Sequence, residues 1–531
     1  MEKSDLRRLI KIEDRIKELC EEYGLRCLPV EFDIVPPEKM IEIMAYHNPT
    51  NISNWKYGRD YERLKTIFDT VDPNLPYEMV INDDPARAFL MRSNTLAVQA
   101  LVIAHVYAHV NFFTENKWFQ RSRRDIIEMM AEAAKRFNEY ERIYGIDEVE
   151  QVVDAGHALQ WHSSPFELET EMEKKKRVFE QLKKQYAPVY SEFGDLVETK
   201  DRAKMIVTDT ELYNNRLWRK ILNTTPIEPT EDILRFIIDN SRILEDWQKD
   251  ILETLRTEGQ YYWPNWKTKY MNEGWATFWH EKIMNRLFEE GLLTGSEHGQ
   301  YNISNALVKA RARMSMNPYL IGSEMWKEIE DRWNKGRFGT EYDNCTDFQE
   351  KENWDTKAMK GREKIFEVMR SYTDWFFMQD FLTPDMIDKL DLYIYKIVET
   401  VASVDYIRTE HTAEQIRELI IASFANSGIP KIEIVEGNLM SDGTMVLEHR
   451  FNGLPLDKKY TEETLKHIYR VWGCPVILKT AVADNKGNIK EIVYKEYGSD
   501  KLNSEEEDDS DQLYRPFSLR YDFDNFTLRI K

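Results

Sequence analysis

Leu96-Ala-Val-Gln99-Ala-Leu-Val-Ile-Ala-His105-Val-Tyr-Ala-His109-Val-Asn111-Phe-Phe113 is the stretch that decides how this chain is read. It is the longest apolar run in the sequence, interrupted only by Gln99, His105, His109 and Asn111. A helix that is apolar on nearly every side is a buried helix, and the polar interruptions argue against a membrane span. His105 and His109 are four residues apart, which puts them on one helical face, one turn from each other. Two imidazoles stacked this way can grip a single metal ion. The alternative is a pair of core histidines bonded to backbone or carboxylate. That arrangement needs two sets of polar partners where one metal would serve both. Tyr107 points away from the pair and reads as core. Val106 occupies the slot that holds a general-base Glu in H-E-x-x-H, and Val cannot take a proton.

A second motif, Met271-Asn-Glu273-Gly-Trp-Ala-Thr277-Phe-Trp-His280, brings a carboxylate. Two His and one Glu form a known zinc set with an open fourth position, so His105, His109 and Glu273 are the candidate ligands of a Zn2+ ion. The competing reading of Glu273 is an ion pair with Lys267 or Lys269. Glu273, Thr277 and His280 share a face, and His280 reads as a ligand, an orienting group or a proton donor to a developing oxyanion. His157, in Asp154-Ala-Gly-His157, is the other catalytic candidate, as a donor or substitute base; its plainer reading is a helix-surface histidine. His162 and His47 are weaker. If the chain is a hydrolase, its base comes from elsewhere: Glu42, Glu78 or a carboxylate between 166 and 175.

Composition describes an ordered globular protein: 531 residues, 42% hydrophobic, 31% charged and 12% aromatic, with 14 Trp and 27 Tyr. A net charge of −21 disfavours nonspecific binding to nucleic acid or to anionic membranes. The four cysteines (Cys20, Cys27, Cys345 and Cys474) form no C-x-x-C pair, which fits a reducing compartment. With no signal-peptide pattern at the N-terminus, the expected location is the cytoplasm. There is no phosphate loop, dinucleotide fingerprint or nucleophile elbow.

Periodicity places helices at 4–23, 38–46, 122–143, 147–161, through 229–290 with a break at Pro264, at 324–334 and over most of 362–423. Residues 53–65 read as aromatic-rich with turns. Tyr77–Asn82 and Ala88–Met91 read as strands, with Ser93 or Asn94 capping the His-bearing helix. Past Gly428 the pattern changes: strands at 431–435, 444–449, 476–481 and 488–494 surround a helix at 461–471. The domains expected are 1–427, mainly helical and carrying the metal site; 428–497, a small α+β domain; and 498–531, an acidic linker and tail.

Several motifs resemble the SpoVR family, the stage V sporulation protein R group. They are Trp55-Lys-Tyr-Gly-Arg-Asp-Tyr-Glu-Arg, Tyr77-Glu-Met-Val-Ile-Asn, Ala104-His-Val-Tyr-Ala-His-Val-Asn-Phe-Phe, Met271-Asn-Glu-Gly-Trp-Ala-Thr-Phe-Trp-His, Asn317-Pro-Tyr and Gly361-Arg-Glu-Lys-Ile-Phe-Glu-Val. The resemblance runs from about residue 5 to 497. It implies a link to spore cortex formation or stress response, and as partners a serine protein kinase and a von Willebrand-type domain protein encoded nearby. A narrower similarity joins His105, His109 and Glu273 to the ligand positions of gluzincin metallopeptidases. This chain departs from them at Val106 and in the longer gap before Glu273. The implied fold is α+β and predominantly α-helical: a zincin-like helical core with a small β-hairpin or sheet, plus the C-terminal α+β domain. The implied activity is a zinc metallohydrolase lacking the usual glutamate, acting on an amide or peptide bond. The alternative is a non-catalytic regulatory or scaffold protein.

Overall fold

The computed structural model describes residues 3–496 apart from 47–51, 53, 71–77, 165–168, 186–199, 312–314, 400–403, 440–441 and 484–488. His47 and the acidic linker and tail lie outside the described residues. The chain divides into two compact units, each discontinuous in sequence. The first takes Met1–Ile146 and Tyr261–Gly428; the second takes Asp147–Gln260 and the segment that begins at Ile429. The first unit therefore leaves out residues 147–260, which the sequence reading places with residues 1–427. The C-terminal strands, however, form one body with a helical stretch from the middle of the sequence.

The first unit is built around the helix Leu96–Glu115, in which every residue from Ala97 to Phe113 is buried. This helix is long and apolar enough to cross a membrane, but 94% of its apolar window is buried inside the molecule, as expected of a core helix. Its four polar interruptions all have partners. Gln99 Nε2 donates to the Met91 carbonyl at 2.8 Å, and Asn111 Oδ1 accepts from Trp275 Nε1 at 3.0 Å; the histidines are described below. Thr95, rather than Ser93 or Asn94, is the N-cap. Tyr107 is buried and reaches Glu13 with its hydroxyl.

Helices Lys3–Glu22, Lys269–Glu289, Gly295–Val308 and Gly361–Ser371 pack on this core, and Pro318–Asn334 packs on Lys269–Glu289. Beside them lies a three-stranded sheet of β1 (Val30–Val35), β2 (Glu78–Ile81) and β3 (Ala86–Met91), in the order β1-β3-β2. β1 runs parallel to β3, and β2 runs antiparallel to it with Glu78 opposite Leu90. β3 leads directly into the His-bearing helix, and Glu78 sits on the neighbouring strand.

Two local expectations are corrected in this unit. Trp55–Thr70 is a helix rather than a turn-rich stretch; the Asn54 side chain accepts the Lys56 N–H and starts it, which is the role of a capping Asn. Within 362–423, Tyr395–Glu399 (β4) and Val404–Arg408 (β5) form an antiparallel pair. Their β-branched and aromatic residues favour strand over the expected helix.

The second unit carries a four-stranded sheet of β6 (Ile432–Leu439), β7 (Thr444–His449), β8 (Val476–Ala483) and β9 (Ile489–Glu496), in sequence order. β7 and β8 are parallel, joined through the helix Lys458–Trp472, and the other pairs are antiparallel. Thr230 bridges Ile434, and Phe236 lies against Trp472 with ring centroids 5.6 Å apart. These contacts tie the sheet to the helical stretch of the same unit. The molecule is predominantly helical with small sheets, an α+β protein.

Candidate metal centre

His105 and His109 face the same way from the central helix, with ring centroids 4.6 Å apart. Glu273 reaches them from Lys269–Glu289, and Glu78 from β2. One ligand atom from each of the four lies within 4.8 Å of all the others. His105 Nε2 is 3.0 Å from Glu78 Oε1 and 3.6 Å from Glu273 Oε2; His109 Nε2 is 3.7 Å and 3.4 Å from the same oxygens. Despite this closeness, His105 Nε2 and Glu273 Oε2 are buried without a hydrogen-bond partner. Buried polar atoms normally find one. Donor atoms that converge on a common centre rather than on each other are arranged as a cation would need them, and this buried His/Glu group can hold a metal ion.

The opposite edges of the imidazoles are hydrogen-bonded. His109 Nδ1 lies 2.9 Å from Asn272 Oδ1, His105 Nδ1 lies 2.8 Å from His280 Nδ1, and His280 Nε2 lies 3.0 Å from Asn305 Oδ1. A carbonyl oxygen only accepts, so in the neutral ring His109 carries its proton on Nδ1 and presents a lone pair at Nε2. Asn272 therefore orients His109 while its neighbour Glu273 contributes a carboxylate to the same cluster. Its place beside Glu273 in Asn-Glu-Gly-Trp is the local sequence signal that marks Asn272.

The protein's own charges shape the cluster. Burial disfavours the cationic form of both histidines, but Glu78 and Glu273 outweigh it: His105 is raised, and His109 is pushed up to about 10. Burial would raise the two carboxyls, yet the histidines hold Glu78 at about 2 and Glu273 lower still. His280, by contrast, is held down at about 3, by burial first and then by His105. The half-buried Tyr319 has its ring centroid 5.9 Å from that of His105. Burial, Glu273 and Glu78 keep its phenol protonated. The two carboxylates are balanced either by two imidazolium protons or by one dication. Their side chains keep 16% and 20% of their surface in solvent, against 5% for each histidine, so what exposure the cluster has is on its carboxylate side, although Glu273 Oε2 itself is buried.

Local packing fixes Glu273. A Cβ on Gly274 would collide with the backbone of Gly322, and one on Gly322 with the Tyr270 carbonyl. Helices Lys269–Glu289 and Pro318–Asn334 therefore cross backbone to backbone beside Glu273. The first of these helices gets no side-chain cap from Thr268. Asp374 supplies it instead, accepting the Tyr270 and Met271 N–H groups at 2.9 Å each.

Of the residues singled out in the sequence, His105, His109 and Glu273 come together, with Glu78 from among the candidate bases. His280 stands behind His105. Val106 is fully buried in the core. His157 belongs to the second unit, where it is buried rather than on a helix surface, with Nδ1 3.0 Å from Gln160 Oε1.

Residues 3–429 match the family described as "SpoVR like protein", and residues 430–483 match the "SpoVR-like C-terminal domain". The chain belongs to the SpoVR family. A relative, the Escherichia coli (strain K12) protein named "Uncharacterized protein YcgB", is 29% identical over 498 residues, 88% of this chain and 90% of that one. No solved structure matches. Family membership points to a sporulation-linked protein, and the His/Glu cluster lies within the span of the larger family match.

Proposed function

We propose that this SpoVR-family chain is a divergent zinc-dependent, hydrolase-like protein whose metal is held by His105, His109 and Glu273, with Glu78 in place of the glutamate that Val106 displaces. The observation that carries this reading is the convergence of four donor atoms within 4.8 Å, two of them buried and without hydrogen-bond partners. Imidazole and carboxylate donors suit zinc. When bound, zinc supplies Lewis acidity and lowers the pKa of a coordinated water. Glu78, beside the ligands and partly in solvent, is the group to accept a proton from a nucleophile. The protonated phenol of Tyr319 is the group to donate a hydrogen bond to a substrate oxygen. His280 orients His105, and no step is assigned to His157. The local similarity to gluzincins favours an amide or peptide bond as target. The SpoVR link favours one in a cell-wall precursor of the spore cortex, in a module with a serine protein kinase and a von Willebrand-type domain protein.

A second reading has an observation of its own. Two protonated histidines and two carboxylates are already charge-balanced, so the same cluster can serve as a buried polar network in a non-catalytic scaffold. Elemental analysis of protein purified without added metal separates the two. About one zinc per chain, lost in Glu273→Ala, supports the site. Metal-free protein of unchanged stability would leave the scaffold.

A further inference from the structure

We infer that Asn305 and His280 are positioning residues that fix His105 in the tautomer whose Nε2 lone pair faces the centre of the cluster. The inference rests on the reading of that cluster as a metal site. The chain of contacts has one consistent direction. Asn305 Nδ2 is 2.9 Å from Glu281 Oε1, and a carboxylate only accepts, so this edge of the amide is the NH2 group. The other edge is then the carbonyl, and it faces His280 Nε2 at 3.0 Å. His280 must carry its proton on Nε2, which leaves its Nδ1 as an acceptor. Opposite it, at 2.8 Å, is His105 Nδ1, which therefore holds the proton and donates. His105 Nε2 is left with a lone pair, aimed where Glu78 and Glu273 converge.

The anchor of this relay is Glu281, which is pinned by Lys309 Nζ at 2.9 Å and Lys327 Nζ at 2.8 Å. Its polarity thus originates outside the cluster, in an ion-pair group spread over Lys269–Glu289, the end of Gly295–Val308 and Pro318–Asn334. A ligating histidine whose other nitrogen is held this way has its ring orientation set and its basicity raised.

The test uses the full chain, with cobalt(II) as the probe metal and two variants of one position. His280→Phe removes the acceptor for His105 Nδ1–H; His280→Gln keeps a carbonyl there. The expected result is a ~10–100-fold weaker Kd for cobalt in His280→Phe with a changed visible absorption spectrum, and recovery of most of the loss in His280→Gln. Circular dichroism of both metal-free variants checks that they fold. Wild-type affinity and spectrum in folded His280→Phe would overturn the inference, as would an equal loss in both variants, which indicates packing alone. Long-range 1H–15N spectra of histidine-labelled metal-free protein read the relay directly: the His280 proton on Nε2 supports it, and on Nδ1 refutes it. Wild-type protein that takes up no cobalt sinks the metal reading, and the His280 tautomer in that same sample still decides the relay.

Discussion

Gly274 and Gly322 meet backbone to backbone where two helices cross, and this contact sets the position of Glu273 one residue away. Neither position has room for a Cβ. Gly322→Val is expected to force the helices apart, lowering stability by at least ~1–3 kcal/mol and reducing metal content together with it. Urea midpoints and elemental analysis check both. An unchanged midpoint would show that the crossing is not tight.

Glu273 and Glu78 are predicted to differ in what they do. Glu273→Gln is expected to weaken zinc binding by more than the ~10–100-fold that loss of an orienting partner costs. Glu78→Gln is expected to keep most of the metal and abolish turnover. Competition with a chelating dye measures the first effect. Should Glu78→Gln lose metal as fully as Glu273→Gln, Glu78 is a fourth ligand and the site is a closed, structural one.

Restoring the missing glutamate in sequence should not restore a base. Val106 is fully buried, so Val106→Glu places a carboxyl in apolar core. The expected cost is at least ~2 kcal/mol, with no gain in activity, read from thermal melts and hydrolysis assays. A stable, more active Val106→Glu protein would contradict the placement of this side chain.

Acid should weaken the support of the cluster through Glu281. Burial would raise this carboxyl, but hydrogen bonds from Lys327 and Asn305 and the charge of Lys309 hold it at about 2, below its ordinary 4.5. A carboxyl lowered on folding contributes stability that is complete above its unfolded pKa. That contribution is lost as pH falls from about 4.5 through about 2. Urea midpoints across this window should fall more steeply for the wild type than for Glu281→Gln. Parallel curves would remove Glu281 from the acid response.

Chelation offers an independent check. A ligand that binds only the folded state stabilises it by about 2.7 kcal/mol at a hundredfold excess over Kd. EDTA should therefore lower the Tm of the wild type and leave that of His105→Ala unchanged. A wild-type Tm indifferent to EDTA would count against a bound metal.

Much of the first unit was legible in the chain. The apolar run around His105 and His109 is the buried helix it reads as; Tyr77–Asn82 contains β2, and Ala88–Met91 covers β3 except its first two residues. The misses have physical causes. Val30–Val35 was not picked out because a parallel strand takes its pairing from a distant partner, β3, and not from a local hairpin turn. Trp55–Thr70 was obscured by Gly58 and its aromatics, although Asn54 marked its start. β4 and β5 lay inside a stretch dominated by helical periodicity.

By itself the sequence determined that two imidazoles would lie one turn apart in a buried helix, and that no glutamate would stand between them. Helical spacing is local geometry, so residues four apart meet whatever the rest of the chain does. Only the tertiary structure decided which carboxylates meet the histidines and which nitrogen of His105 faces them. Glu78 arrives because β2 pairs with β3, Glu273 because Gly274 and Gly322 let two helices touch, and the His105 tautomer follows from Glu281 through Asn305 and His280. Those contacts join residues far apart in the chain, and no short-range pattern records them.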